Sequence, residues 1–163
     1  MSSNITEIEI KNSLNYLMET GDIYFIKYPD SVRKFYRSPY DFLILTEQYN
    51  YAVEAKKTKR KSLPFKNITE QQIESLISFS KKLKKNRSFV FINYRNGKRK
   101  KDEKINDAYL IEIDGFAEAK DSLGRKSLPM KWCRENAVLL KRMKFKKKYG
   151  WDLSLFLEPD LIS

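Results

Sequence analysis

Between Asp41 and Thr58 the chain reads DFLILTEQYNYAVEAKKT, two apolar runs of strand length with polar residues around 47–50 between them. That pattern predicts a β-hairpin of strands 41–48 and 49–58. A lone hairpin is marginal in water, so any fold containing it must bring further elements onto its apolar surface. Side chains alternate along a strand. Tyr49, Tyr51, Val53 and Ala55 therefore point one way, and Asn50, Ala52, Glu54 and Lys56 the other. Glu54 and Lys56 become neighbours on one face, roughly 7 Å apart along the strand. Folding the hairpin about residues 48–49 sets Leu43 opposite Glu54 and Asp41 opposite Lys56. Two carboxylates and one amine then gather at one end of the sheet.

The flanking sequence supplies the rest of an α/β domain. Residues 4–20 read as a helix with Ile8, Leu14 and Leu17 at roughly helical spacing and Gly21 as its stop. A short strand is expected at 22–28, then a polar, basic connection over 29–40. KRKSLPFKNI is a basic loop broken by Pro64. Thr69-Glu70-Gln71-Gln72 is a capping box and opens a helix that ends near the lysines at 81–85. Strands follow at 88–94 and 107–113 around a charged turn at 95–104. A helix over 131–148 and an apolar tail after Gly150 complete the order. The expectation is a single α/β domain over 1–163, a mixed central sheet flanked by helices. The pentapeptide RKSLP occurs at 60–64 and again at 125–129. Both copies read as basic turns before helices.

Thirty-three Lys and Arg face 21 acids, a formal net charge of +12. That excess favours a polyanionic partner, nucleic acid before membrane. Secretory and membrane-spanning runs are absent from the sequence. With no histidine and one cysteine, Cys133, the chain excludes His-based zinc sites, Ser-His triads and internal disulfides. A lone thiol fits a reducing cytoplasm. Any metal must sit on oxygen ligands, which suits Mg²⁺, Ca²⁺ or Mn²⁺.

Two carboxylates brought together repel unless a cation lies between them. Asp41 and Glu54 are thus candidate metal ligands, with the Ala55 carbonyl between the pair as an extra one. Lys56 is placed to orient an attacking water or to offset charge on a phosphate. The same spacing also suits an ordinary solvated strand face bearing a Glu–Lys pair. Beside this cluster run Lys57, Lys59, Arg60, Lys61 and Lys66, and just before it Arg33, Lys34 and Arg37. Such charges would contact DNA phosphates.

Beyond the triplet, the run Asp41, Glu54-Ala55-Lys56-Lys57-Thr58, Ser62-Leu63-Pro64-Phe65-Lys66-Asn67 and Gln72-Ile73 resembles the PD-(D/E)XK nuclease superfamily, specifically its RecU-type Holliday-junction resolvases. The resemblance covers about residues 40–95. It implies a restriction-endonuclease-like core and a homodimeric, Mg²⁺-dependent endonuclease that nicks four-way junctions symmetrically. By the same resemblance Asp41 and Glu54 bind metal, Lys56 is the catalytic lysine and Gln72 lies beside the site. Thr58 and Asn67 join the DNA-contacting run. An acid of the first helix completes such sites, with Glu9 as the candidate and Glu7 as the alternative. The chain departs from the pattern in three ways. Tyr40 is inserted between Pro39 and Asp41, Gln71 stands where a His is common, and no long stalk insertion precedes Asp41. The result is a compact form, similar to archaeal or phage resolvases. A nuclease acting on plain duplex and a non-catalytic DNA binder are the other readings.

Overall fold

The computed structural model describes residues 4–29, 39–97 and 103–162. The predicted hairpin forms as β2 (Phe42–Thr46) and β3 (Asn50–Thr58). Its register differs from the expected one. Phe42 lies opposite Val53 and Leu43 opposite Ala52, so Asp41 falls opposite Glu54 rather than Lys56. The reason is the turn: the Thr46 hydroxyl donates to the Tyr49 carbonyl at 2.8 Å and accepts the Tyr49 N–H at 3.0 Å. The chain therefore reverses about Glu47–Gln48. A slip of two residues keeps every side chain on its expected face.

Around the hairpin the described residues build a six-stranded mixed sheet. It adds β1 (Ile23–Lys27), β5 (Asn86–Arg95), β6 (Asn106–Glu112) and β8 (Val138–Leu140), in the order β1-β2-β3-β5-β6-β8. Only β3 and β5 run parallel within it, among the described residues. A parallel pair needs a crossover. Here β4 (Ser62–Pro64) and α2 (Glu70–Lys82) supply it. The mixed α/β class expected from the sequence is the one observed.

β3 is covered on both faces. Tyr51, Val53 and Ala55 enter a core with α1 (Ile5–Thr20) and the C-terminal tail. Ala52 enters a second core with α2, α3 (Ile113–Ser122) and α4 (Met130–Asn136). The buried stripe of α1 is Ile10, Leu14 and Leu17, together with Thr6, Glu9 and Ser13, whereas Ile8 faces out. The tail's Trp151, Leu153, Leu155 and Phe156 close the first core.

Two expectations fail. Residues 131–148 do not form one helix. α4 ends at Asn136, and the chain continues as β8, then as a hairpin of β9 (Arg142–Phe145) and β10 (Lys148–Trp151). The hairpin turn uses Lys146 at φ 56°, a left-handed conformation that stops a helix. Gly150 lets β10 press onto α1, since a Cβ there would meet the Glu9 carbonyl and Phe145 ring, each at 2.8 Å. Nor are the RKSLP copies simply turns. Their Ser-Leu-Pro parts pair with each other as β4 and β7 (Ser127–Pro129), antiparallel.

Tyr94 and Cys133 meet inside the second core, hydroxyl to thiol 3.4 Å. Burial pushes the Cys133 thiol up to about 11. No described helix is long and apolar enough to cross a membrane.

Candidate active site

Glu54 lies mid-sheet, its side chain only 3% exposed, in contact with Lys56 Nζ at 2.8 Å through Oε1. The same oxygen accepts from Gln72 Nε2 at 2.8 Å. Gln72 can reach it because its other amide end is already used. Its Oε1 accepts the Thr69 N–H at 3.0 Å while Thr69 Oγ1 accepts the Gln72 N–H at 3.1 Å, the reciprocal cap foreseen from the sequence. The helix start and the site are thus one structure, built from the first turn of α2.

Asp41 precedes β2 and is tied by its N–H to the Val53 carbonyl, 3.1 Å. Its Oδ2 accepts the Ala55 N–H at 2.7 Å, which sets it against the peptide joining Glu54 to Ala55. In a strand the N–H and C=O of one residue face the same neighbour. The Ala55 carbonyl therefore also faces the Asp41 side, past the first residue of β2.

The two acids pay for their burial in proton affinity. Desolvation pushes Glu54 up to about 7, with Asp41 beside it adding to the rise and Lys56 opposing it. Asp41 is raised as well, first by desolvation and then by Glu7, against the Ala55 N–H, Lys56 and Lys27. Neither Asp41 Oδ1 nor Glu54 Oε2 receives a hydrogen bond from a described residue. A sealed carboxylate and the half-buried one beside it that raises it, each with an oxygen that takes no hydrogen bond from a described residue, form a donor set that a divalent cation relieves. Among the described residues no three Cys, Asp or Glu side chains are grouped closely enough to hold an ion by themselves. Such a set suits Mg²⁺, which keeps several waters and takes one or two carboxylates.

The helix-1 acids separate. Glu9 does not join the site. Its carboxylate is gripped by Arg142 at 2.6 and 2.7 Å and by Arg95 at 2.9 Å. Burial works to raise it, yet these guanidinium bonds outweigh that and hold it below the usual range. Glu7 is the acid whose charge reaches both Asp41 and Glu54. It pairs with Lys27 at 3.0 Å. Lys27 was not singled out from the sequence, although it sits in phase with Ile23 and Phe25 on the covered face of β1. A charge in a buried phase was the available signal.

Of the expected DNA contacts, Lys57, Lys59, Arg60, Lys61, Lys66 and Asn67 are exposed. Thr58 is buried, and its hydroxyl closes the turn into β4 by accepting the Arg60 N–H at 3.2 Å and donating to the Ser62 carbonyl at 3.4 Å. It shapes the basic loop from beneath. Arg33, Lys34 and Arg37 lie outside the described residues.

The solved structure of Hjc from Archaeoglobus fulgidus, a Holliday junction resolvase from an archaeal hyperthermophile, is similar at TM-score 0.47 and 14% identity, covering 79% of this chain and 91% of that one. A likeness at that level fixes no residue. No curated protein matches the chain. The family described as Recombination protein U matches residues 31–149, a span that holds Asp41, Glu54, Lys56 and Gln72. The chain belongs to the RecU family and is a Holliday-junction resolvase of the PD-(D/E)XK type, a metal-dependent endodeoxyribonuclease.

Proposed function

We propose that the whole chain, 1–163, acts as one nuclease domain that resolves four-way junctions by paired symmetric nicks. The metal is Mg²⁺, with Mn²⁺ as a substitute, held by Asp41, Glu54 and the Ala55 carbonyl. The observation that carries this is the meeting of Asp41 and Glu54 across β2 and β3, with Lys56 on Glu54. The bound ion supplies polarisation of the scissile phosphate and a more acidic water. Gln72 and Lys56 hold Glu54 by one oxygen, and the other would serve as the metal ligand. Lys56, 21% exposed at its side chain, stands where it orients the attacking water and offsets phosphate charge. Glu7, paired with Lys27, is the helix-1 acid that reinforces the negative field there. Lys57, Lys59, Arg60, Lys61, Lys66 and Asn67 bind phosphates on either side, and Arg33 and Arg37 add to them.

Two matched nicks on a two-fold substrate need two sites related by a two-fold axis. A second copy of the chain meets that need. The edge strand β1 carries Tyr24 at 58% and Ile26 at 39% exposure, opposite Leu45 and Leu43 of β2. That apolar face is the proposed contact. Work in a reducing cytoplasm suits the lone buried thiol.

The test is a Mg²⁺-dependent cleavage assay on a four-way junction and on plain duplex of the same sequence. Paired nicks in the junction, with the duplex intact, are expected. Asp41→Asn is expected to abolish cutting while junction binding in EDTA persists. Full activity in that variant removes the site assignment, and equal cutting of duplex removes the junction specificity.

A further inference from the structure

The RKSLP echo has no role in the mechanism above, yet the fold brings its two copies together. β4 and β7 pair with Leu63 opposite Leu128, both fully buried. Ser62 Oγ and Ser127 Oγ meet at 2.6 Å between them. Beyond the strands the same bond appears twice: the Phe65 N–H donates to the Lys126 carbonyl at 3.0 Å, and the Met130 N–H to the Lys61 carbonyl at 2.9 Å. One pentapeptide used twice has made a ribbon with a local two-fold axis.

Its two ends carry the two basic runs. Lys59, Arg60 and Lys61 enter one end, Arg125 and Lys126 the other, and all five are exposed. The first end continues β3, which bears Glu54 and Lys56. The second lies against Phe65, at the start of the 3₁₀ turn Phe65–Asn67 that carries exposed Lys66. That turn leads through Thr69 to Gln72, which holds Glu54. Both ends are thus tied, by short and hydrogen-bonded paths, to segments that grip the same carboxylate. Four residue steps, with the three residues of β4 between, take Lys61 to Phe65, about 13 Å. Measured along a duplex axis that is about four 3.4 Å steps.

We infer that the β4–β7 ribbon is a phosphate track for the DNA arm being cut, with Arg125 and Lys126, beside Lys66, as its second contact point. This rests on the nuclease reading above. The buried leucine pair fixes the ribbon to the core, so the two basic ends keep a set separation and register the backbone relative to Glu54.

The experiment is a salt series of junction binding in EDTA, read by fluorescence anisotropy, for wild type, Arg125→Ala/Lys126→Ala and the control Lys81→Ala/Lys82→Ala. The control removes the same charge from the far end of α2. Each lost phosphate contact flattens the slope of log affinity against log salt by about 0.9. The ribbon variant is expected to bind several-fold more weakly, with a slope shallower by nearly two, while the control keeps the wild-type slope. The single-turnover cleavage rate of the control on saturated junction should stay within about twofold of wild type. A ribbon variant with the slope of the control overturns the inference and leaves the nuclease reading intact. Wild type that neither binds nor cuts the junction overturns both.

Discussion

Glu54 is the residue on which the electrostatics of this molecule turn. It is nearly sealed from water, beside a second acid, and its proton is held up to about pH 7. Between its ordinary 4.5 and about 7 the folded metal-free protein keeps a proton that the unfolded chain has released. That contribution to stability is fully present below pH 4.5 and is lost as pH rises through 7. Unfolding free energies from urea titrations in EDTA at pH 5 to 8 should therefore fall with pH in wild type, by on the order of 2 kcal/mol. Glu54→Gln should flatten that fall. The Glu54–Lys56 pair was legible from period-two alternation alone. The choice between Glu7 and Glu9 was not, because both lie on the helix face nearer the sheet and the deciding partners, Arg95 and Arg142, stand 86 and 133 residues further on.

At the level of elements, α1 is bolted in place by polar bonds along its whole buried stripe. Thr6 donates to Asn93 at 3.0 Å, Glu9 takes Arg95 and Arg142, and Ser13 Oγ accepts the Trp151 N–H at 2.7 Å. Removing one partner of a buried ion pair costs about 3 kcal/mol. Glu9→Ala should lower the urea stability by that order. Metal affinity of the folded variant, titrated by calorimetry, should be unchanged. A stable variant that has lost metal affinity would return Glu9 to the ligand set. The hairpin that supplies Arg142 was read as part of a helix over 131–148. Its lysines and apolar residues satisfy either period over so short a stretch, and the reversal rests on one left-handed residue, Lys146. α3 went unread, since the strand pattern runs to 113 and Gly115 weakens a helical one, whereas packing of Ile113, Phe116 and Ala119 forms the helix.

For the whole molecule, charge and symmetry set the behaviour. With a net charge of +12, two copies repel each other in the absence of DNA, so an apolar contact must carry the proposed dimer. A stable one buries about 800 Å² on each partner. Sedimentation at moderate salt is expected to give twice the chain mass of 19.4 kDa. Tyr24→Lys/Ile26→Lys should return a folded monomer that nicks one strand of the junction without its match. Dimeric mass in that variant would move the interface elsewhere. The mixed sheet itself could be read from the order of elements, since five of its six strands announced themselves by composition and only the edge strand β8 fell inside the stretch read as a helix. The self-pairing of the echo could not, because nothing in five residues says that their partner is their own repeat.

Cys133 is the chain's only thiol, and it lies beneath the sheet against Tyr94 with its proton held tightly. A maleimide or disulfide reagent therefore finds no target on the intact molecule. Its rate of capture clocks how often the second core opens, giving every variant above a built-in reporter of breathing without any added label.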